Sequence, residues 1–146
     1  MDFPMLYYYS CLLSRRRPWL VLFSMAEHNK LGRKGEEAAA RHLTSNGHQL
    51  LERNWRFQGY EIDIISLHGE YIVFTEVKTR ASTEWGYPEE SVNRQRMRRM
   101  VRAANIYVKM NRVDNPVRFD IVAVVWNRGQ VEIDHIEDAF LPFLNH

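Results

Sequence analysis

Two neighbouring stretches, residues 60–67 and 71–78, constrain this chain more than any other feature. Both are rich in β-branched and aromatic types, and only a short segment around Gly69 separates them. Such runs flanking a glycine turn form a β-hairpin, and strand side chains alternate between faces. With His68-Gly69 as a two-residue loop, Leu67 opposes Glu70, Asp63 opposes Phe74 and Glu61 opposes Glu76. Glu61, Asp63, Glu76 and Lys78 then project from one face with Ile65, Ile72 and Phe74, while Ile62 and Ile64 take the other. Asp63 and Glu76 become diagonal neighbours, with backbones about 7–8 Å apart. Two carboxylate arms close that gap around one cation, since Mg²⁺ takes oxygen ligands at roughly 2.0–2.1 Å. A one-residue change in the loop would send the two acids to opposite faces.

Three carboxylates on one face repel unless counter-charged. Lys78 supplies one positive charge, and a divalent metal would supply two more. Taken singly, each charge reads as a solvated strand residue. Taken together, between apolar neighbours, Asp63, Glu76 and Lys78 read as a site, because burying unpaired charge there is costly. Glu36 shares a helix face with Ala40 and Leu43, at spacings of four and seven. It could cap its helix, pair with Arg33 or reach the same cation.

The rest of the chain supports one domain. With 146 residues there is no room for two full cores. Apolar types at 45% and a formal charge of only +2 exclude disorder for most of the chain, and attraction to nucleic acid or an anionic membrane would have to come from local clustering of charge rather than from that total. The single cysteine, Cys11, rules out an internal disulfide framework and a cysteine-built zinc site. That usage fits a cytoplasmic location. Residues 1–24 look foreign. Two apolar runs flank Arg15, Arg16 and Arg17, each too short to cross a bilayer and in the wrong order for a secretory signal. Those three arginines against Asp2 account for the +2. The expectation is a non-native or disordered extension over 1–24, a natural start at Met25, one domain over 25–146, and no membrane association.

From Met25 onward the pattern predicts a helix over 32–46 stopped by Gly47, and strands over 50–57, 60–67 and 71–78. A loop over 79–88 leads to a long helix over 89–110. Strands over 118–126 and 131–136 follow, joined by a turn at 127–130. A strand–helix–strand step after residue 78 implies some parallel pairing. The fold class is therefore α/β with a mixed sheet. The six histidines show no metal-ligand spacing and read as surface or turn residues.

The segments Gly32-Arg33-Lys34-Gly35-Glu36, Arg53-Asn54-Trp55-Arg56, Glu61-Ile62-Asp63-Ile64-Ile65, Phe74-Thr75-Glu76-Val77-Lys78-Thr79-Arg80 and Arg118-Phe119-Asp120 together resemble the bacterial YraN family. The resemblance covers roughly residues 30–136. That family is similar to the PD-(D/E)xK restriction-endonuclease-like superfamily, close to archaeal Holliday junction resolvases. The resemblance implies a central mixed sheet flanked by helices, with Asp63, Glu76 and Lys78 at the catalytic positions and Glu36 as a further acidic member. It also implies Mg²⁺ or Mn²⁺ held by Asp63, Glu76 and the backbone carbonyl of Val77, and metal-assisted phosphodiester hydrolysis. Lys78 would orient the attacking water or offset charge on the phosphorane. The chain departs from the pattern at Ile62, where the superfamily has proline, at Tyr60, inserted between Gly59 and Glu61, and at Arg96, where relatives carry lysine.

Arg94, Arg96, Arg98, Arg99 and Arg102 crowd one helix with no acid among them. Arg94, Arg98 and Arg102 recur at a spacing of four as a basic stripe suited to phosphate contacts. Arg80 is grouped with them as a nucleic-acid-binding residue. Trp55 reads as core, whereas Trp85 and Tyr87 suit base stacking, a lid or simple loop anchoring. The expected partner is nucleic acid, DNA rather than RNA, and the residues leave a homodimer open. The leading expectation is a metal-dependent nuclease acting on branched or otherwise structured DNA. The alternatives are a non-catalytic nucleic-acid-binding module and an adaptor in DNA repair, recombination or uptake.

Overall fold

A five-stranded sheet in the order β1-β2-β3-β4-β5 organises the computed structural model, which describes residues 18–81 and 94–141. Helix α1 (Pro18–Ser45) precedes strands β1 (Gln49–Phe57), β2 (Tyr60–His68) and β3 (Tyr71–Arg80). Helix α2 (Arg94–Asn111) then leads to β4 (Val117–Asn127) and β5 (Gln130–Ile136). Strands β3 and β4 pair in parallel and every other neighbouring pair is antiparallel. The architecture is thus the expected α/β mixed sheet between helices. Helix α1 is longer than the 32–46 expected and runs unbroken through Met25, starting at a proline whose fixed φ suits a first helical turn. Residues 1–17, the first part of the helix expected over 89–110, and Trp85 and Tyr87 lie outside the described residues. No helix among the described residues is long and apolar enough to cross a membrane.

Each face of the sheet has its own core. Met100, Ala103, Ala104 and Tyr107 of α2 pack on Ile62, Ile65, Ile72, Phe74 and Phe119, with Trp55 against them as expected. Ala38, Ala39, Ala40 and Leu43 of α1 pack on Ile64, Val77, Val122 and Val124. Gly35 lets α1 settle on the sheet. A Cβ there would lie 1.8 Å from Thr79 Oγ1 and 2.8 Å from Thr79 Cβ, closer than atoms approach.

The hairpin register corrects the sequence reading. His68 pairs with Tyr71, Leu67 with Ile72 and Ile65 with Phe74. The loop is therefore Gly69-Glu70 rather than His68-Gly69, and Asp63 does not oppose Phe74, nor Glu61 Glu76. Gly69 takes φ +58, the left-handed first position of a tight hairpin turn that a side-chain-bearing residue resists. The slip is two residues, so face parity survives it.

The strict alternation expected along β2 does not hold. Ile62 and Ile65, three apart, join the α2-side core, whereas Ile64 joins the α1-side core. The phase change falls at Asp63. Opposite it the β1 pairing passes from Arg53↔Ile64 to Trp55↔Ile62, and Asn54 between them takes φ +52. Asparagine tolerates that left-handed conformation better than most residues.

Among the histidines, His28 is exposed as expected, but His48 and His135 are not. His48 is 3% exposed, stacks on His68 at 4.1 Å, and lies 5.7 Å from the His135 ring, which in turn meets His42 at 5.5 Å. They gather around the buried Asp120, which accepts hydrogen bonds from Arg118 Nε (2.9 Å), Arg118 Nη2 (2.8 Å) and the Asp138 N–H (3.1 Å), and sits 2.8 Å from His135 Nε2. Burial alone would raise the Asp120 carboxyl, but these hydrogen bonds outweigh it and hold the group below the usual carboxylate range. Burial, with His68 next in weight, pushes the His48 imidazole down to about 4.

Candidate active site

The observed register brings the two predicted acids closer than the expected one. Carried one step beyond Ile64↔Thr75, it sets Asp63 directly across from Glu76. Here a side chain replaces the backbone ladder, as the Val77 N–H donates to Asp63 Oδ2 at 2.8 Å. Lys78 Nζ lies 3.4 Å from Glu76 Oε1, and the two side chains are only 11% and 8% exposed. Arg96 of α2 donates its Nε–H to the same Oε1 in a very short contact. Glu36, half-buried on α1, accepts from Asn54 Nδ2 at 3.0 Å, and its charge reaches Asp63. Asn54 thus has two roles the sequence did not reveal: it bends β1 opposite Asp63 and holds Glu36. Its signals were an asparagine in mid-strand and its place in the Arg53-Asn54-Trp55-Arg56 segment.

Glu61, expected with these groups, turns outward and pairs with Arg56 at 3.6 Å. Glu36, Asp63 and Glu76 do not close as a trio to within 4.8 Å of one another, whereas His48, Asp120 and His135 do. The central pair is Asp63 with Glu76, with Glu36 at its edge.

Electrostatics mark Asp63. Its carboxyl is pushed up to about 7, first by burial and then by Glu76, with Glu36 adding to the rise and the Val77 N–H and Arg96 opposing it. Two desolvated acids meet here, and Lys78 and Arg96 are the cationic groups that Glu76 holds beside them.

Clefts open on both sides of this centre. One of about 390 Å³ is lined by Tyr60, Glu61, Glu76, Arg96, Arg99 and Met100. The other, of about 660 Å³, is lined by Gly32, Arg33, Glu36, Asn54 and Arg56. Each contains an acid of the site and two arginines.

The arginine row divides by role. Arg96 engages Glu76. Arg99 donates to the Gly59 carbonyl at 2.8 Å and lies over the Tyr60 ring, so it ties α2 to the β1–β2 turn. Arg80 donates to the Thr79 carbonyl at 3.1 Å. Arg94, Arg98 and Arg102 are exposed along α2 at the expected spacing.

Comparison with known proteins covers this whole site. The model of the uncharacterised protein family UPF0102 matches residues 35–124, which include Glu36, Asp63, Glu76, Lys78 and the arginine row. A UPF0102 protein of Bacteroides thetaiotaomicron is 46% identical over 118 residues, 81% of this chain and 98% of the relative. Another, from Christiangramia forsetii, is 44% identical over 119 residues, 82% of this chain and all of the relative. The chain therefore belongs to the uncharacterised protein family UPF0102, the YraN family that its motifs resemble.

Proposed function

We propose that this protein is a metal-dependent nuclease that hydrolyses phosphodiester bonds in DNA, with branched or otherwise structured DNA as its preferred substrate. The observation that carries this reading is the convergence of Asp63, Glu76 and Lys78 on one partly buried spot between two arginine-lined clefts.

The donor set suits a hard divalent cation. Asp63 and Glu76 offer carboxylate oxygens in a desolvated setting, and their mutual repulsion is what such an ion would relieve. Arg96 already places a cationic group on Glu76 Oε1, a stand-in for the ion. Its side chain is 46% exposed, so it has room to swing out towards solvent. Asp63 and Glu76, with the Val77 carbonyl between Glu76 and Lys78, would hold Mg²⁺ or Mn²⁺. Bound there, the ion supplies Lewis-acid polarisation of the scissile phosphate and acidifies water.

The chain's own groups do the rest. The Val77 N–H fixes the Asp63 carboxylate. Asn54 fixes Glu36, which adds negative charge beside Asp63. Lys78, held by Glu76, offsets charge that builds on the phosphate as the attacking oxygen closes in. A strand lying from Arg33 and Arg56 across to Arg96 would present its backbone to that centre, with Arg94, Arg98 and Arg102 on the flanking duplex.

Incubating the full chain with linear, single-stranded and four-way-junction DNA in Mg²⁺ or Mn²⁺ tests this directly. Cleavage should appear with metal, vanish in EDTA and fall at least 100-fold in Asp63→Ala and Lys78→Ala, the scale on which removing one electrostatic stabiliser acts. Wild type and variants that bind junctions equally and cleave none would instead leave a binding module.

A further inference from the structure

The histidine cluster around Asp120 lies outside the proposed nuclease centre and takes no part in its chemistry. We infer that His48, Asp120 and His135 form a second metal site, selective for a borderline-soft divalent ion such as Zn²⁺ or Co²⁺ rather than Mg²⁺. One ligand atom from each of the three lies within 4.8 Å of the other two, so side-chain shifts of about an ångström bring them to the roughly 3.4 Å that separates ligands of one tetrahedral ion.

A second observation points independently to a ligand. His48 is 97% buried, its Nδ1 is committed to Ser66 Oγ at 2.9 Å, and its Nε2 is buried with no hydrogen-bond partner. In the tautomer whose Nδ1–H donates to Ser66, Nε2 carries a bare lone pair. Natural metal sites orient their histidines this way, one ring nitrogen fixed by an outer group and the other left to the ion. Asp120 is oriented likewise by Arg118 and the Asp138 N–H. Thr75, paired laterally with Asp120 across β3 and β4, carries another buried oxygen without a partner. Two imidazoles and one carboxylate in a dry setting match Zn²⁺, whereas Mg²⁺ demands oxygen ligands and keeps water. In this structure His135 Nε2 meets Asp120 Oδ2 at 2.8 Å as donor to acceptor, and an entering ion would replace that contact, with the ring proton moved to Nδ1 so that Nε2 offers its lone pair. The bound ion would clip the start of β1 to β4 and β5, beside the ring contact of His48 with His135.

The test uses the metal-stripped full chain, loaded with Co²⁺ or Zn²⁺ and then desalted. Wild type should retain one ion per chain, show the visible absorption of nitrogen-ligated Co²⁺ and melt at a higher temperature than the stripped protein. His48→Ala and His135→Gln should lose all three. His135 is the more exposed of the two, so H135Q keeps the test decisive if H48A does not fold. Ser66→Ala, which only frees the His48 ring to turn, should weaken binding roughly 10–100-fold. The Asp63→Asn/Glu76→Gln double variant should bind as wild type does. A wild type that retains no ion overturns the inference and leaves ordinary buried water beside His48. So does retention that survives H135Q or disappears in the Asp63/Glu76 variant.

Discussion

At the scale of single residues, Asp63 is an acid whose ionisation opposes folding. Unfolded, it ionises near 3.8, and folded, near 7, because burial and Glu76 resist its charge. Between those values the folded chain keeps a proton that the unfolded chain gives up. The stability this group contributes therefore declines as pH climbs from about 4 to about 7 and stays low above that. In EDTA, Asp63→Asn should melt with wild type near pH 4 and well above it near pH 8, a gain of about 4 kcal/mol. Identical melting at both pH values would remove the electrostatic account of this site. Arg96 makes a complementary prediction. It occupies Glu76 Oε1, and on the proposed reading it competes there with an ion, so Arg96→Gln should bind Mn²⁺ more tightly than wild type by calorimetry, and weaker binding would show that the guanidinium does not compete. Asp63, Glu76, Lys78 and Glu36 were legible in the sequence because charges between apolar neighbours stand out. Asn54 and His48 were not. The role of Asn54 depends on a backbone angle of +52°, and that of His48 on packing from strands far along the chain.

At the scale of elements, the hairpin shows how parity outlasts register. The sequence located both strands and their turn, yet Gly69 claimed the first loop position and moved every pairing by two. The acids stayed within reach of each other because the register continued past Ile64↔Thr75 faces Asp63 with Glu76, and the Val77 N–H ties Asp63 to β3. The break in alternation at Asp63 was invisible because Ile62, Ile64 and Ile65 are chemically alike and only their packing partners tell them apart. The seating of α1 on β3 rests on Gly35. Gly35→Ala drives a methyl into Thr79, a stiff β-branched residue on a strand, and should cost about 1–3 kcal/mol by overpacking. Adding Thr79→Ala should restore much of that loss, because the two side chains would meet at one point. Chemical denaturation of the single and double variants measures this, and purely additive losses would place the strain elsewhere.

At the scale of the molecule, one mixed sheet carries two helices, and the proposed nuclease centre lies where α1, the β2–β3 hairpin and α2 converge. The α/β class was legible because two strands, a long helix and a further apolar strand admit few connections. The division of the arginine row was not, since a stripe on a helical projection does not reveal which members reach back to the sheet. Arg94, Arg98 and Arg102 stay exposed along α2, and the proposed function assigns them to phosphate contacts. Arg98→Glu/Arg102→Glu should weaken DNA binding uniformly across sequences and flatten the salt dependence by roughly 0.9 log units for each phosphate no longer neutralised. An unchanged slope would exclude that face of α2 from the interface. Beneath every part of this account lies the joint hold of Asp63 and Glu76 on one hard cation. Free Mn²⁺ counted by electron paramagnetic resonance, with junction DNA present, tests it most directly. The account predicts one saturable site that disappears in Asp63→Asn and in Glu76→Gln but persists in His135→Gln. Mn²⁺ uptake that is indifferent to both carboxylates would contradict it.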